Sequence, residues 1–188
     1  MTTLDQLRQE LGDRIDDDLR RVAENPRAAA ALFPAAGRRY GREPLTGGWT
    51  ADEAARALLL TEIDMAEISE IYRYGDTAEK LAVLKALPLL TIGEKGTPLL
   101  EDALRTNDTR LVAAALGPYA MNLSPEAWRQ AVLKCVFMGV PLTSVHRLTE
   151  RADPELRAML RAFADERRAA GRDMPPDALA LLDQLKEA

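Results

Sequence analysis

Histidine and cysteine each occur once in the 188 residues, as His146 and Cys135. A single cysteine excludes an intramolecular disulfide framework, and a single histidine excludes a histidine-based metal cluster or a two-histidine relay. No uninterrupted apolar run approaches the ~18 residues that a membrane-spanning helix needs. The first residues, MTTLDQLRQELGDRIDDD, have neither a basic start nor an apolar run of signal-peptide length, so a cytoplasmic protein is expected. No segment alternates apolar and polar residues with β-branched enrichment, so no strand is predicted. The nucleotide-binding patterns G-x-x-x-x-G-K-[ST] and G-x-G-x-x-G and the zinc pattern H-E-x-x-H are all missing. A net charge of −5 argues against a general nucleic-acid binder, which would carry a basic face.

What remains is helical periodicity. Leu4, Leu7, Leu11, Ile15, Leu19 and Val22 recur every three or four residues and predict one amphipathic helix over about 3–24. Asp16, Asp17 and Asp18 point about 100° apart on such a helix, so they read as a solvated face rather than a metal site. An Ala-rich helix is expected over 26–36 and a loop over 38–48. Thr50 and Glu53 form a capping-box pattern ahead of a long central helix that runs to about Tyr72. On that helix Glu62 falls on the apolar arc of Ala55, Leu58 and Ala66. A carboxylate there needs a cation such as Lys134, a local irregularity that turns it outward, or a ligand. Further helices follow: Asp76 opens one that Pro88 stops, Thr97–Pro98 caps another, and a short one is expected over 142–150. Asp153–Pro154 begins a helix closed by Gly171, and Pro175–Pro176 begins the last.

The stretch from Asn107 to Pro141 is the most apolar part, yet 105–151 holds six Lys/Arg against three Asp/Glu. It predicts two helices. The first is capped by Asp108 or Asn107 and ends before Pro118; the second starts at Ser124–Pro125 and stops at Gly139, with Pro141 beyond. Asp76–Thr77 and Asp108–Thr109 open comparable apolar helices that run into Pro88 and Pro118. That weak repeat predicts an all-α chain of stacked antiparallel helix pairs, a degenerate HEAT-like α-solenoid, with a compact irregular helical bundle as the alternative. Stacked pairs line one concave surface, so Arg110, Tyr119, Gln130 and Lys134 are candidate binding residues, with Glu62 and with Lys80 and Lys85 from the preceding helix nearby. Snorkelling of the cationic stems to water is the competing reading. Trp128 and Cys135 are expected in the core, and Pro118, Gly139 and Pro141 as structural breaks. No catalytic set and no cofactor site is recognisable.

The segments EKLAVLKALPLL, ALRTND, GPYAMNLSPEAWRQAVLKCVFMGVPL and ERADPELRAMLRAFADERRAAGR, in that order, resemble the EboA family. The similarity runs from about Trp49 to Pro176, and its most specific block is Ala127, Trp128, Gln130, Val132, Leu133 and Lys134 with Gly139, Pro141 and Leu142. An aromatic expected in E-R-W-A-A-G-R is replaced by Arg168. A chain of 188 residues is long enough for one well-buried core, so one all-α domain over 1–188 is expected: an N-terminal helical extension (1–48), a family-like helical core (49–176) and a C-terminal helix (177–188). The resemblance implies a bacterial protein encoded in a metabolite-traffic gene cluster and linked to processing or export of secondary metabolites. Such clusters also encode a prenyltransferase-like membrane protein, a sugar-phosphate-cyclase-like enzyme and hydrolase-like proteins. Two functions compete. One is a non-enzymatic helical adaptor or metabolite-binding protein, whose partners are proteins of the same cluster or an anionic or amphiphilic metabolite. The alternative is a small enzyme acting on a phosphorylated or prenylated intermediate, with Lys134 or Glu62 as a perturbed acid or base. The missing catalytic set weighs against the enzyme.

Overall fold

The computed structural model describes residues 2–187; Met1 and Ala188, the ends of the expected outer segments, lie outside the described residues. Among these residues the chain forms twelve α-helices joined by short 3₁₀ turns, with no strand beyond an isolated bridge between Pro44 and Thr50. The all-α expectation holds. Packing divides the chain into two compact units, Met1–Leu99 and Leu100–Ala188.

The first unit holds α1 (Leu4–Leu11), α2 (Asp16–Glu24), α3 (Ala29–Tyr40), α4 (Ala51–Leu59), α5 (Met65–Tyr74) and α6 (Thr77–Ala86). Its hub is α4, which packs against α1, α2, α3 and α6. The sequence ADEAARALL explains this position. Small alanines let neighbouring helices approach on several sides, and every α4 residue except Glu53 is buried. Leu7 and Leu11 from α1, Ile15 from the following turn, and Leu19 and Val22 from α2 form a buried stripe as their spacing predicts.

Three expectations for this unit are corrected. The helix expected over 3–24 is broken at Gly12, whose φ of +58° a glycine adopts without steric cost; a 3₁₀ turn over 12–15 then leads into α2. The long central helix ends at Leu59. A 3₁₀ turn over 60–62 and an extended Ile63 follow, and Asp64 caps a separate α5 by accepting the N–H groups of Ala66 and Glu67. Asp18 is not part of a solvated face. It is 3% exposed, because it lies one turn from both Ile15 and Val22. Its carboxylate takes two bonds from Arg39 at 2.7 Å and one from the Tyr40 hydroxyl at 2.5 Å. That clamp extends α3 to Tyr40, into the stretch expected as a loop.

The second unit contains the rest of α7 (Thr97–Arg105) with α8 (Thr109–Ala115), α9 (Pro125–Met138), α10 (Leu148–Arg151), α11 (Pro154–Ala169) and α12 (Pro176–Glu187). Here α9 packs against α8 and α11, and α11 against α12. The start and stop signals read from the sequence act as expected. Ser124 accepts the Ala127 N–H, Asp153 accepts that of Leu156, and Gly139 ends α9 in the left-handed region. Trp128 is 1% exposed and its ring lies under the Arg151 guanidinium at 4.9 Å. The short helix expected over 142–150 is instead a 3₁₀ turn over 142–144 and a single turn, α10.

Candidate functional site: an apolar groove in the first unit

The break at Ile63–Asp64 separates α5 from α4 and leaves a half-open groove of about 510 Å³ between the start of α3 and α5. Pro26, Ala30 and Pro34 form one wall and Ile71 and Tyr74 the other, with Phe33 as the floor. Proline at 26 and 34 suits this wall, since it presents an apolar ring and no backbone donor. Phe33 is fully buried and held from behind. The Arg56 guanidinium lies 5.6 Å from its ring, and Arg56 Nε donates to the Phe33 carbonyl at 3.1 Å. Arg56 is itself fixed by Asp52 at 2.7 Å. Burial acts to raise the Asp52 pKa, but the Thr50 hydroxyl and the Arg56 guanidinium hold it below the usual carboxylate range. Tyr74 stands at the mouth and is 76% exposed.

The groove closes at Gly75. A Cβ there would lie 2.7 Å from the Ile71 carbonyl oxygen and 3.0 Å from Glu79 Oε2, so only glycine lets Glu79 approach this end. Glu79 is 8% exposed. Its Oε2 accepts the Asp76 N–H at 2.8 Å, while no protein donor reaches Oε1 among the described residues. Glu67 and Glu70 stand along the α5 rim and Arg27 on the α3 side. The Asp64 carboxylate beside Glu67 raises the Glu67 pKa. Arg27 has no ion-pair partner among the described residues.

The residues singled out from the sequence lie elsewhere. Lys134 and Gln130 do share a depression, of about 350 Å³, with Glu101, Leu104 and Ala127. The Lys134 ammonium is already engaged there, donating to the carbonyls of Leu104 and Thr106 at 2.6 and 2.7 Å. It satisfies the carbonyl end of α7, which no glycine cap closes. Arg110 is exposed and pairs with Asp108 at 2.7 Å, and Tyr119 is buried in the 3₁₀ turn that Pro118 opens. Neither lines the depression. Glu62 is exposed on its 3₁₀ turn and accepts the Thr61 hydroxyl at 3.0 Å; the local irregularity turns it outward. Cys135 is fully buried, and burial pushes its thiol up to about 12, which removes it as a nucleophile at neutral pH. His146 is half-buried, and its backbone N–H donates to the Leu116 carbonyl. Pro141 is exposed beyond Gly139 and its carbonyl accepts from Ser144.

Sequence reasoning missed Phe33, Ile71, Tyr74 and Glu79. One signal was present: Asp64 with Glu67 three residues on is a capping box inside the helix expected to run unbroken. Among the described residues no group of His, Cys, Asp and Glu is placed to hold a metal ion, and no helix is long and apolar enough to cross a membrane.

Fold and site together define an all-helical protein with an apolar groove edged by carboxylates. A family model described as "Metabolite traffic protein EboA" matches residues 30–183, and the chain belongs to the EboA family. The match begins within α3, upstream of the Trp49 start expected from the sequence, and covers the whole groove except Pro26, Arg27 and Ala29. No curated protein and no solved structure matches the chain.

Proposed function

We propose that this EboA protein is a non-enzymatic carrier that holds an amphiphilic metabolite in the groove between α3 and α5, within secondary-metabolite processing or export. The observation that carries the reading is the groove itself. Its volume falls within the ~300–1,000 Å³ of small-molecule sites, and it combines an apolar lining with a few polar groups at the edge. The state of Lys134 and Cys135 favours binding over catalysis, since a cation spent on two carbonyls and a thiol that stays protonated supply neither base nor nucleophile. The family's description as a metabolite traffic protein fits such a carrier. Proteins encoded in the same gene cluster are then its donors and acceptors, and the cytoplasm its compartment. The HEAT-like arrangement is not needed for this role; a bundle with one groove suffices.

The test is native purification from a producing cell followed by mass spectrometry. Ala30 is exposed on the groove wall, so Ala30→Trp fills the groove without opening the core. A small molecule that co-purifies with the wild type and is lost from Ala30→Trp is expected. A molecule retained equally by both, or chemical turnover of it by the isolated protein, contradicts the carrier reading.

A further inference from the structure

The groove has a charge pattern as well as a shape. Three carboxylates, Glu67, Glu70 and Glu79, and one guanidinium, Arg27, line it; Glu70 also pairs with Arg73 at 3.8 Å, which leaves one negative charge in excess around an apolar floor. The distribution is uneven. Arg27 sits in the 3₁₀ turn just ahead of α3, whereas the carboxylates occupy α5 and the closed end beyond Gly75. Glu79 is the informative member because it is 92% removed from solvent and still offers Oε1 with no protein donor among the described residues. That oxygen keeps contact with solvent and is an acceptor open to a cationic ligand. Tyr74 adds an exposed aromatic face at the mouth, a surface that attracts cations.

We infer that the groove selects a cationic amphiphile, an apolar body carrying an amine or another positively charged nitrogen group, over anionic or neutral ones. The apolar body lies against Phe33, Ile71 and Pro34, and the cation is held by Glu79 with Glu67 and Glu70 along the rim. This assignment rests on the carrier reading above and names its ligand class. It sets aside the anionic metabolite that the cationic stretch 105–151 suggested, because those cations belong to the second unit and do not line the groove.

The variant that tests it follows from helix capping. Glu67 and Glu79 are each the third residue of a capping box, a position where glutamine caps as glutamate does. Glu67→Gln/Glu70→Gln/Glu79→Gln therefore removes the charges and keeps the caps, and an unchanged circular-dichroism spectrum checks this. Dodecyltrimethylammonium, dodecyl sulfate and a neutral dodecyl glycoside, each below its micelle concentration, are titrated by calorimetry into wild type, the triple variant and Ala30→Trp. A carboxylate about 4 Å from a cation contributes about fivefold even in bulk water. The ammonium probe is thus expected to bind the wild type at least about tenfold tighter than the neutral one, and added salt should erode the difference. The triple variant should bind both alike, and Ala30→Trp should bind neither. Equal binding of all three probes by the wild type, tighter binding of dodecyl sulfate, or a preference that survives in the triple variant overturns the cation assignment and leaves the groove as a carrier site. Binding that Ala30→Trp does not reduce, or no binding of any probe, overturns both and marks the groove as a docking face for a partner protein.

Discussion

Arg56→Met takes a cation out of the interior of the first unit and leaves its counter-ion behind. Arg56 and Asp52 are 3% and 4% exposed and joined at 2.7 Å. Methionine keeps most of the apolar stem, so the loss falls on the charge. Asp52 retains the Thr50 hydroxyl at 2.6 Å and Arg42 at 3.9 Å, and Arg42, with a side chain 76% exposed, is too solvated to replace Arg56. The Phe33 carbonyl also loses its donor. Breaking one side of a buried pair costs about 3–5 kcal/mol, against under ~1 kcal/mol for an exposed pair. Asp52→Leu/Arg56→Met removes the orphaned carboxylate as well and should recover most of that loss. The pH dependence fixes the cause. The wild-type Asp52 pKa is depressed from 3.8, so its contribution is present above that value and lost as pH falls through the folded one. In Arg56→Met only the Thr50 hydroxyl and the solvated Arg42 still oppose burial, so the pKa moves upward, and the deficit against wild type is full near pH 7 and shrinks as pH falls into the carboxylate range. Urea unfolding at about pH 7 and about pH 4.5, followed by the fluorescence of Trp49 in a Trp128→Phe background, measures both. A deficit under about 1 kcal/mol, a deficit independent of pH, or a double variant no better than the single one would refute the reasoning.

The Tyr40 phenol is pushed up to about 12 by burial and by its bond to Asp18. A folded-state pKa above the ordinary phenol value of 10.0 contributes stability that is complete below pH 10 and lost as pH rises toward 12. An ultraviolet titration should show a late-ionising tyrosine phase, and Tyr40→Phe should remove one tyrosine's worth of absorbance from it. Deleting residues 1–48 removes Leu7, Leu11, Ile15, Leu19 and Val22 from around α4; the fragment starting at Trp49 should fail to melt cooperatively by calorimetry, and a sharp transition would contradict the packing account. Lys134→Met should cost about 1–3 kcal/mol in urea unfolding, because two carbonyls lose a charged donor, while amphiphile binding stays unchanged; a loss of binding without a loss of stability would return Lys134 to the site.

The sequence was readable where a local signal acts alone. Ser124, Asp76 and Asp153 cap the helices their positions predict, Gly139 ends α9, and the 3.6-residue period picks out the buried stripe of α1 and α2. It misled where one local signal competed with another. Apolar periodicity carried a helix through Glu62, but the Asp64–Glu67 capping box and extended Ile63 divide it there. That division takes Glu62 out of the apolar arc and creates the groove. Three adjacent aspartates suggest a solvated run, although the spacing of Asp18 from Ile15 and Val22 places it inward, where Arg39 and Tyr40 compensate its charge. Lys134 is legible in the sequence as a cation within an apolar stretch. That its ammonium would meet the carbonyl end of α7 depends on how α7 and α9 pack, which no periodicity encodes. The groove needs Phe33 and Ile71, 38 positions apart, to face each other, and a single sequence holds no record of that pairing.

Chemical-shift mapping of the isotope-labelled chain during titration with dodecyltrimethylammonium tests the central claim most directly. The account predicts that the largest amide shifts fall on Ala30, Phe33, Ile71, Tyr74 and Gly75, saturate together at one stoichiometric equivalent, and vanish in Ala30→Trp. Shifts centred on Gln130 and Lys134, or spread over the surface without saturation, would contradict it.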